Sequence, residues 1–160
     1  MAKKKSLLWH LFFSYLVITL LSLVAVTWYS TASLKKFMLK QIEADLEERA
    51  LLFGPMLLQH LSPLDERAID HLCKTIGKAA STRVTIMVPW GKVVGDSEND
   101  PEGMDNHLDR PEVATALEAT RGVSTRYSPT LGKEMMYVAI ALKKESRTLG
   151  VLRTAIPVDD

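Results

Sequence analysis

Five side chains between positions 107 and 137 have types that suit the binding of a small anion. They are one histidine, two arginines, one serine and one tyrosine: His107, Arg110, Arg126, Ser128 and Tyr137. The arginines are the strongest part of this pattern, because a planar guanidinium matches two oxygens of a carboxylate or phosphate with parallel hydrogen bonds. The constellation predicts a site for a small anionic ligand.

A structural role is the competing interpretation of the same stretch. Asn106-His107 would fix a loop, and Arg110-Pro111-Glu112 would cap the short helix that follows, with the arginine paired to a nearby carboxylate. The residue types do not separate these roles, so both stay open.

Carboxylates crowd the segment just before these residues. The acidic side chains are Asp96, Glu98, Asp100, Glu102, Asp105 and Asp109. Alternating carboxylates can hold a hard divalent cation, and the first three are the metal candidates. The spacing is not that of an EF-hand, because Pro101 stands where that loop needs glycine and the final ligand position lacks a carboxylate. A solvated acidic loop is the favoured interpretation.

Motifs of common enzymes are missing from the sequence. There is no G-x-S-x-G elbow, no H-E-x-x-H pair and no P-loop. Cys73 is the only cysteine, which excludes an internal disulfide and a cysteine-based zinc cluster, and it lies in a helical apolar stripe. We predict a core position for Cys73 and a chain without catalytic activity or cofactor.

The N-terminal part of the chain predicts a membrane anchor. Residues 6–34 contain no Asp, Glu, Lys or Arg. A hydrocarbon core of about 30 Å requires roughly 20 apolar residues in a helix, so we place an uncleaved membrane helix at residues 6–30. A cleavable signal peptide would have a shorter apolar region. The basic flank, residues 1–5, is expected in the cytoplasm and the remaining chain outside.

Residues 31–61 continue as a predicted stalk helix. Their apolar positions keep close to a coiled-coil spacing: Leu39, Ile42, Leu46, Ala50, Phe53 and Leu57. Such a stripe faces either a second copy of the chain or the domain's own sheet. The candidate dimer seam consists of Leu39, Ile42, Leu46 and Phe53. Pro55 is expected to kink the helix or end it within a turn.

Residues 62–158 are predicted to form one α+β domain. A second helix is expected over 62–80, with Ser62 as its cap and Pro63 in its first turn. A short helix follows at 111–119. β-branched runs between turn residues predict five strands, at 83–88, 92–96, 124–128, 135–143 and 149–157. Hairpin-length connections favour a mainly antiparallel sheet.

The charge balance argues against one class of partner. The chain has 20 Lys plus Arg and 19 Asp plus Glu, for a net charge of +1. Domains that bind nucleic acid concentrate an excess of positive charge. We therefore predict no nucleic-acid partner.

Residues 83–142 resemble the extracytoplasmic sensor domain of phosphate-regulon-type sensor histidine kinases. The similarity is carried by Asp96-Ser97, Met104, Asn106-His107, Arg110-Pro111-Glu112 and the run from Ser124 to Ser128. The order of anchor, long helix and domain is similar as well. The resemblance implies a PAS-like fold of the Cache kind, with a long helix on a five-stranded sheet. It also implies a bacterial inner-membrane protein with a periplasmic sensor domain.

The resemblance implies further modules beyond Asp160. In the family, a second membrane helix, a HAMP linker, a helix pair with the phosphorylated histidine and an ATP-binding domain follow the sensor domain. His71 does not match that histidine, because Leu72 stands where the family has an acidic residue. We expect a fragment with the input half of a homodimeric kinase. ATP, magnesium and the response regulator would belong to the missing half.

Two other functions stay open. Sensor domains are modular, so the same domain can serve a chemoreceptor or a cyclic-nucleotide signalling protein. A stand-alone anchored binding protein is the third possibility. For the kinase, we expect the stimulus to pass as a helix movement of about 1 to 2 Å at a dimer interface.

Overall fold

The computed structural model describes residues 2–128 and 132–158. Two compact units are distinguished, residues 1–40 and residues 41–160. The first unit is helical, and the second contains the sheet and the remaining helices. The second unit thus begins inside the predicted stalk, so residues 41–58 belong to the domain itself.

Helix α1 (Ala2–Leu58) is long and apolar enough, by length and composition, to cross a membrane. Its hydroxyl side chains donate to carbonyls of the same helix, as Ser14 does to Leu11 and Thr19 does to Leu16, both at 2.9 Å. Polar groups satisfied in this way are tolerated in lipid. The helix ends at Leu58, within one turn of Pro55, as predicted.

The apolar stripe of α1 packs on the domain's own sheet. Leu46, Ala50 and Leu57 are fully buried, and Phe53 packs against the same core. Leu46 therefore faces the domain and not a second copy of the chain. Phe53 is partly buried, and the dimer seam stays a prediction.

Helix α2 (Glu66–Ala80) begins later than predicted. Asp65, and not Ser62, is the cap, and its side chain accepts a hydrogen bond of 3.0 Å from the backbone N–H of Ala68. Residues 61–64 form a tight turn instead, with a bridge between Leu61 and Leu64. An aspartate cap also favours the positive end of the helix, so it competes well with serine.

Five strands form one antiparallel sheet, as predicted. The strands are β1 (Arg83–Met87), β2 (Val93–Asp96), β3 (Arg121–Ser128), β4 (Lys133–Lys144) and β5 (Arg147–Pro157). Their order across the sheet is β2-β1-β5-β4-β3. Helix α3 (Pro111–Ala119) precedes β3. β3 starts earlier than the predicted residue 124, because Thr120, with φ 75°, ends the helix and leaves Gly122 within the strand.

The two faces of the sheet differ in character. Helices α1 and α2 cover one face with a continuous apolar core that includes Ile69, Cys73, Val84, Ile86 and Leu152. On the other face, α3 packs on Met87, Ala139 and Val151. Polar residues, among them Thr85 and Arg153, occupy much of the rest of that second face.

Cys73 is fully buried in the first core, which confirms its predicted packing role. Burial, followed by the nearby carboxylates of Asp96 and Asp70, raises the pKa of its thiol to about 12. A thiol of this kind is almost entirely protonated at neutral pH and is a poor nucleophile.

We expect Cys73 in the folded full chain to react with a maleimide at least about 100-fold more slowly than in denaturant, because reaction requires opening of the core. The control is Ala79→Cys in a Cys73→Ala background, since residue 79 is exposed on the same helix. That thiol should react quickly in the folded state. Equal rates for the two thiols would contradict the burial of Cys73.

Candidate functional site

A cavity of about 590 Å³ opens on the polar face of the sheet. All five residues of the predicted anion site line it, namely His107, Arg110, Arg126, Ser128 and Tyr137. Two further arginines, Arg83 and Arg153, line the same cavity and were not predicted. The structure thus brings together the predicted constellation and doubles its number of arginines.

Strand register explains why residues so far apart in sequence share one face. Arg153 on β5 lies opposite Thr85 on β1 and opposite Ala139 on β4. Tyr137 on β4 lies opposite Ser124 on β3, two residues from Arg126. Because side chains alternate with a period of two, these positions all point to the side of the sheet away from α1 and α2.

The loop between β2 and α3 supplies His107 and Arg110. Asn106 fixes this loop, since its amide donates to the carbonyl of Trp90 at 2.9 Å and its oxygen accepts from Leu108 N at 2.8 Å. The backbone of His107 donates to the Gly91 carbonyl at 2.9 Å. Asn106 therefore has the structural role considered above, whereas His107 and Arg110 face the cavity.

Arg110 occupies the N-cap position of α3, but its side chain makes no capping bond. Among the described residues, no carboxylate lies within ion-pair distance of it, contrary to the structural interpretation of Arg110-Pro111-Glu112. The capping role is thus wrong for the side chain of Arg110, which lies against the cavity instead.

Glu112, which was not predicted for the site, pairs with two of the arginines that line the cavity. Its carboxylate is fully buried, and Oε1 lies 3.2 Å from Arg126 Nη2 and 3.2 Å from Arg153 Nη1. The same two guanidiniums lie over the ring of Tyr137, at 4.2 Å and 5.0 Å from its centroid. Cation–π contacts of this kind add to the ion pairs.

A second set of contacts ties Arg153 to the other half of the sheet. Its Nη2 donates to Thr85 Oγ1 at 3.3 Å, and that hydroxyl donates to Asp96 Oδ2 at 2.7 Å. Arg83 Nε lies 3.2 Å from the same carboxylate oxygen. The polar residues therefore form one connected buried network from β2 to β3.

The place of Glu112 depends on a close approach between α3 and β3. A side chain at Gly122 would put its Cβ 2.0 Å from the backbone carbonyl oxygen of Glu112, so only glycine allows this approach. Pro111 is the first residue of the helix and suits that position. Together they place the first turn of α3 directly over Arg126 and Arg153.

The metal candidates of the acidic loop are used by the protein itself. Asp96 is fully buried, and its Oδ1 accepts from the backbone of Glu98 and Asn99 at 3.0 and 2.9 Å. Asp100 caps the short 3-10 helix Pro101–Gly103. Within residues 2–128 and 132–158, no three His, Cys, Asp or Glu side chains are grouped to hold a metal ion.

Several polar atoms of the site have no partner within the described part of the chain. They are His107 Nδ1, Glu112 Oε2 and the Nε atoms of Arg110, Arg126 and Arg153. Buried groups of this kind are costly unless a ligand or water satisfies them. The arrangement can therefore accept an anion whose oxygens meet several nitrogens at once.

Two titratable groups of the site, His107 and Glu112, have pKa values below their ordinary values. Burial, reinforced by the charges of Arg153 and Arg110, lowers the pKa of His107, so the imidazole is neutral at pH 7. Burial alone would raise the pKa of Glu112. The hydrogen bonds from Arg126 and from its own backbone, with the charges of Arg153 and Arg126, outweigh it and lower that pKa.

Known structures share this fold at low sequence identity. The sensor domain of the histidine kinase DctB from V. cholerae matches with a TM-score of 0.63, 13% identity and coverage of 76% of this chain and 51% of that one. The E. coli DcuS sensor domain gives a TM-score of 0.58 at 10% identity, covering 74% and 90%. The ligand-binding domain of the C. jejuni chemoreceptor Tlp3, solved with 4-methylisoleucine, matches with a TM-score of 0.56 and 16% identity. The match covers 78% of this chain and 56% of that one.

These similarities establish a PAS-like fold of the Cache type. No known family model and no curated protein matches the sequence. The chain spans only about half the length of the DctB domain and of the chemoreceptor domains that it matches.

We expect the protein to lose stability at low pH, because the pKa values of His107 and Glu112 are lower in the folded state than in the unfolded chain. The pKa of His107 is lower in the folded state, so the unfolded chain takes up protons first and stability falls as the pH drops below about 6.5. Glu112 contributes stability above its unfolded pKa of about 4.3, and this is lost as the pH falls through its lower folded pKa.

Thermal unfolding of the full chain, followed by circular dichroism in detergent, checks this expectation. Between pH 7 and pH 5, the Tm should fall by a few degrees, and His107→Gln should flatten that part of the profile. Exposed His71 provides the control, since His71→Gln should leave the profile unchanged. Parallel profiles for wild type and His107→Gln would contradict the expected role of His107.

Proposed function

We propose that this chain is the membrane-anchored extracytoplasmic input module of a sensor protein and that its domain binds a small anionic ligand. The arginine cluster at the cavity is the observation that carries the proposal. A cavity of about 590 Å³ falls within the range of small-molecule sites. The cavity offers unpartnered nitrogens to an anion, which supports binding as its role.

A two-component histidine kinase is the output that we favour. The fold is shared with sensor domains of the histidine kinases DctB and DcuS, and the sequence resembles phosphate-regulon-type kinases. In this proposal, α1 crosses the inner membrane with its basic end in the cytoplasm. The second membrane helix, the kinase core and the contact with a response regulator would then lie in the rest of the protein.

A chemoreceptor is the second candidate, and one observation favours it. The ligand-binding domain of the P. fluorescens chemoreceptor CtaA, which has the same fold, was solved with L-serine and with L-alanine. An amino acid needs a counter-charge for its ammonium group, and the exposed carboxylates Asp100 and Asp105 line the same cavity. The bound ligand therefore discriminates between the two candidates.

Signalling requires a path from the cavity to α1, and we propose two contacts for it. On β3, Arg126 lines the cavity, while Arg121 lies 2.6 Å from Glu43 and 2.8 Å from Glu47 on α1. On β5, Arg153 lines the cavity, and the next residue, Thr154, donates to the Leu46 carbonyl at 2.9 Å. A ligand that moves either strand would shift α1 in a homodimer.

The ligand can be sought by thermal shift of the full chain in nanodiscs, with inorganic phosphate, malate and L-serine as probes. We expect one of the anions to raise the Tm and Arg126→Gln to weaken its binding about 10-fold to 100-fold, because a charged hydrogen bond is lost. Arg67→Gln, at an exposed site on α2, is the matched control and should bind normally. Equal binding to wild type and Arg126→Gln would contradict the anion site.

Disulfide cross-linking in membranes tests the homodimer. Leu51, Leu52 and Met56 form the exposed apolar face of α1 in the domain, so cysteines there should cross-link in a Cys73→Ala background. Cysteines at the buried positions Leu46 and Leu57 should not. Uniform cross-linking, or none at any position, would argue against a dimer that is built on this helix face.

A further inference from the structure

We propose that Glu112 is a built-in anion that occupies the arginine cluster when no ligand is bound, and that an incoming anion takes its place at Arg126. This inference rests on the proposed function, because it concerns the regulation of the same cavity. It assigns to Glu112 a role in competition with the ligand and not in holding it.

Glu112 uses only one of its two carboxylate oxygens to bind the arginines. A single oxygen, Oε1, is shared by two guanidiniums at 3.2 Å, and Oε2 has no partner among the described residues. A full arginine–carboxylate pair uses two oxygens at about 2.7 to 2.9 Å. Both guanidiniums thus keep bonding capacity that a free anion can use.

The two arginines differ in how firmly they are held. Arg153 is 3% exposed, belongs to the central strand β5 and also donates to Thr85. Arg126 is 24% exposed, belongs to the edge strand β3, and has Glu112 and the Tyr137 ring as its contacts. Arg126 is therefore the partner that can exchange Glu112 for a ligand, while Arg153 keeps the carboxylate in place.

The buried nitrogens of the cavity favour the exchange. Four guanidiniums line the cavity, those of Arg83, Arg110, Arg126 and Arg153. Asp100 and Asp105 line it as well, but they are exposed, and solvent and salt screen exposed charges. The unpartnered nitrogens of His107 and Arg110 are buried and available to an anion. The ligand therefore gains contacts that Glu112, tethered to α3, does not make.

A positioning role for Glu112 is the competing explanation. In that case the carboxylate would orient Arg126 for the ligand, and its loss would weaken binding. As a competitor, its loss would strengthen binding. The sign of the change in affinity decides between the two roles.

The test measures affinity for inorganic phosphate and for malate by calorimetry, with the full chain in nanodiscs. For the better of the two probes, we expect Glu112→Gln to bind at least about 10-fold more tightly than the wild type, because one charged contact no longer competes. The control, Glu118→Gln, removes the same charge from the exposed side of α3 and should bind within about 3-fold of the wild type.

A second variant, Glu112→Asp, keeps the proposal testable if Glu112→Gln does not fold. Glu112→Asp keeps the charge but shortens the side chain, so it should also bind more tightly, since its carboxylate is drawn back from Arg126. Weaker or unchanged binding in both variants, beside clear binding by the wild type, would overturn the role of Glu112 and leave the anion site intact. Absence of binding in the wild type and in both variants would overturn the proposed function as well.

Discussion

The burial of one guanidinium in the middle of the sheet is the constraint on which the polar half of this domain depends. Arg153 lies on the central strand β5 and is 3% exposed. A charge taken out of water costs several kcal/mol unless it is paired, and loss of one partner of a buried pair costs about 3 to 5 kcal/mol. Glu112 is the carboxylate that pairs with the buried Arg153 guanidinium, at 3.2 Å. The first turn of α3 must therefore lie over β5, and Gly122 must leave room for it.

The two faces of the sheet differ in the same way, because one is apolar and the other is polar. One face is covered by α1 and α2 and is stabilised by apolar burial, including that of Ile86 and Leu152. The nine-residue α3 covers part of the opposite face, and the remaining area keeps a polar network and an open cavity. The apolar core and the polar cavity thus lie on opposite faces of a single sheet.

Much of this architecture follows from local sequence patterns. Runs of β-branched residues between turns predicted all five strands, and the apolar period of α1 predicted its buried stripe. Four of the five predicted cavity residues belong to polar segments, where arginines are conspicuous, whereas Tyr137 lies in the apolar strand β4. Arg83 and Arg153 were not predicted as cavity residues because they belong to apolar strands. Their direction toward the cavity depends on the register between strands that are distant in sequence. The cap at Asp65 was missed because Ser62-Pro63 offers an equally good local pattern.

Consecutive residues of β5 connect the two faces of the sheet, since Arg153 lines the cavity and Thr154 bonds to the Leu46 carbonyl of α1. One peptide unit therefore separates the residue that lines the cavity from the residue that bonds to α1, and the side chains of Arg153 and Thr154 extend from it to opposite faces. Thermodynamic linkage between two sites is reciprocal. In the proposed sensor, whatever fixes the position of α1, such as a thicker bilayer or a neighbouring protein, would alter the affinity of the cavity for its ligand by the same factor by which that ligand alters the equilibrium of α1.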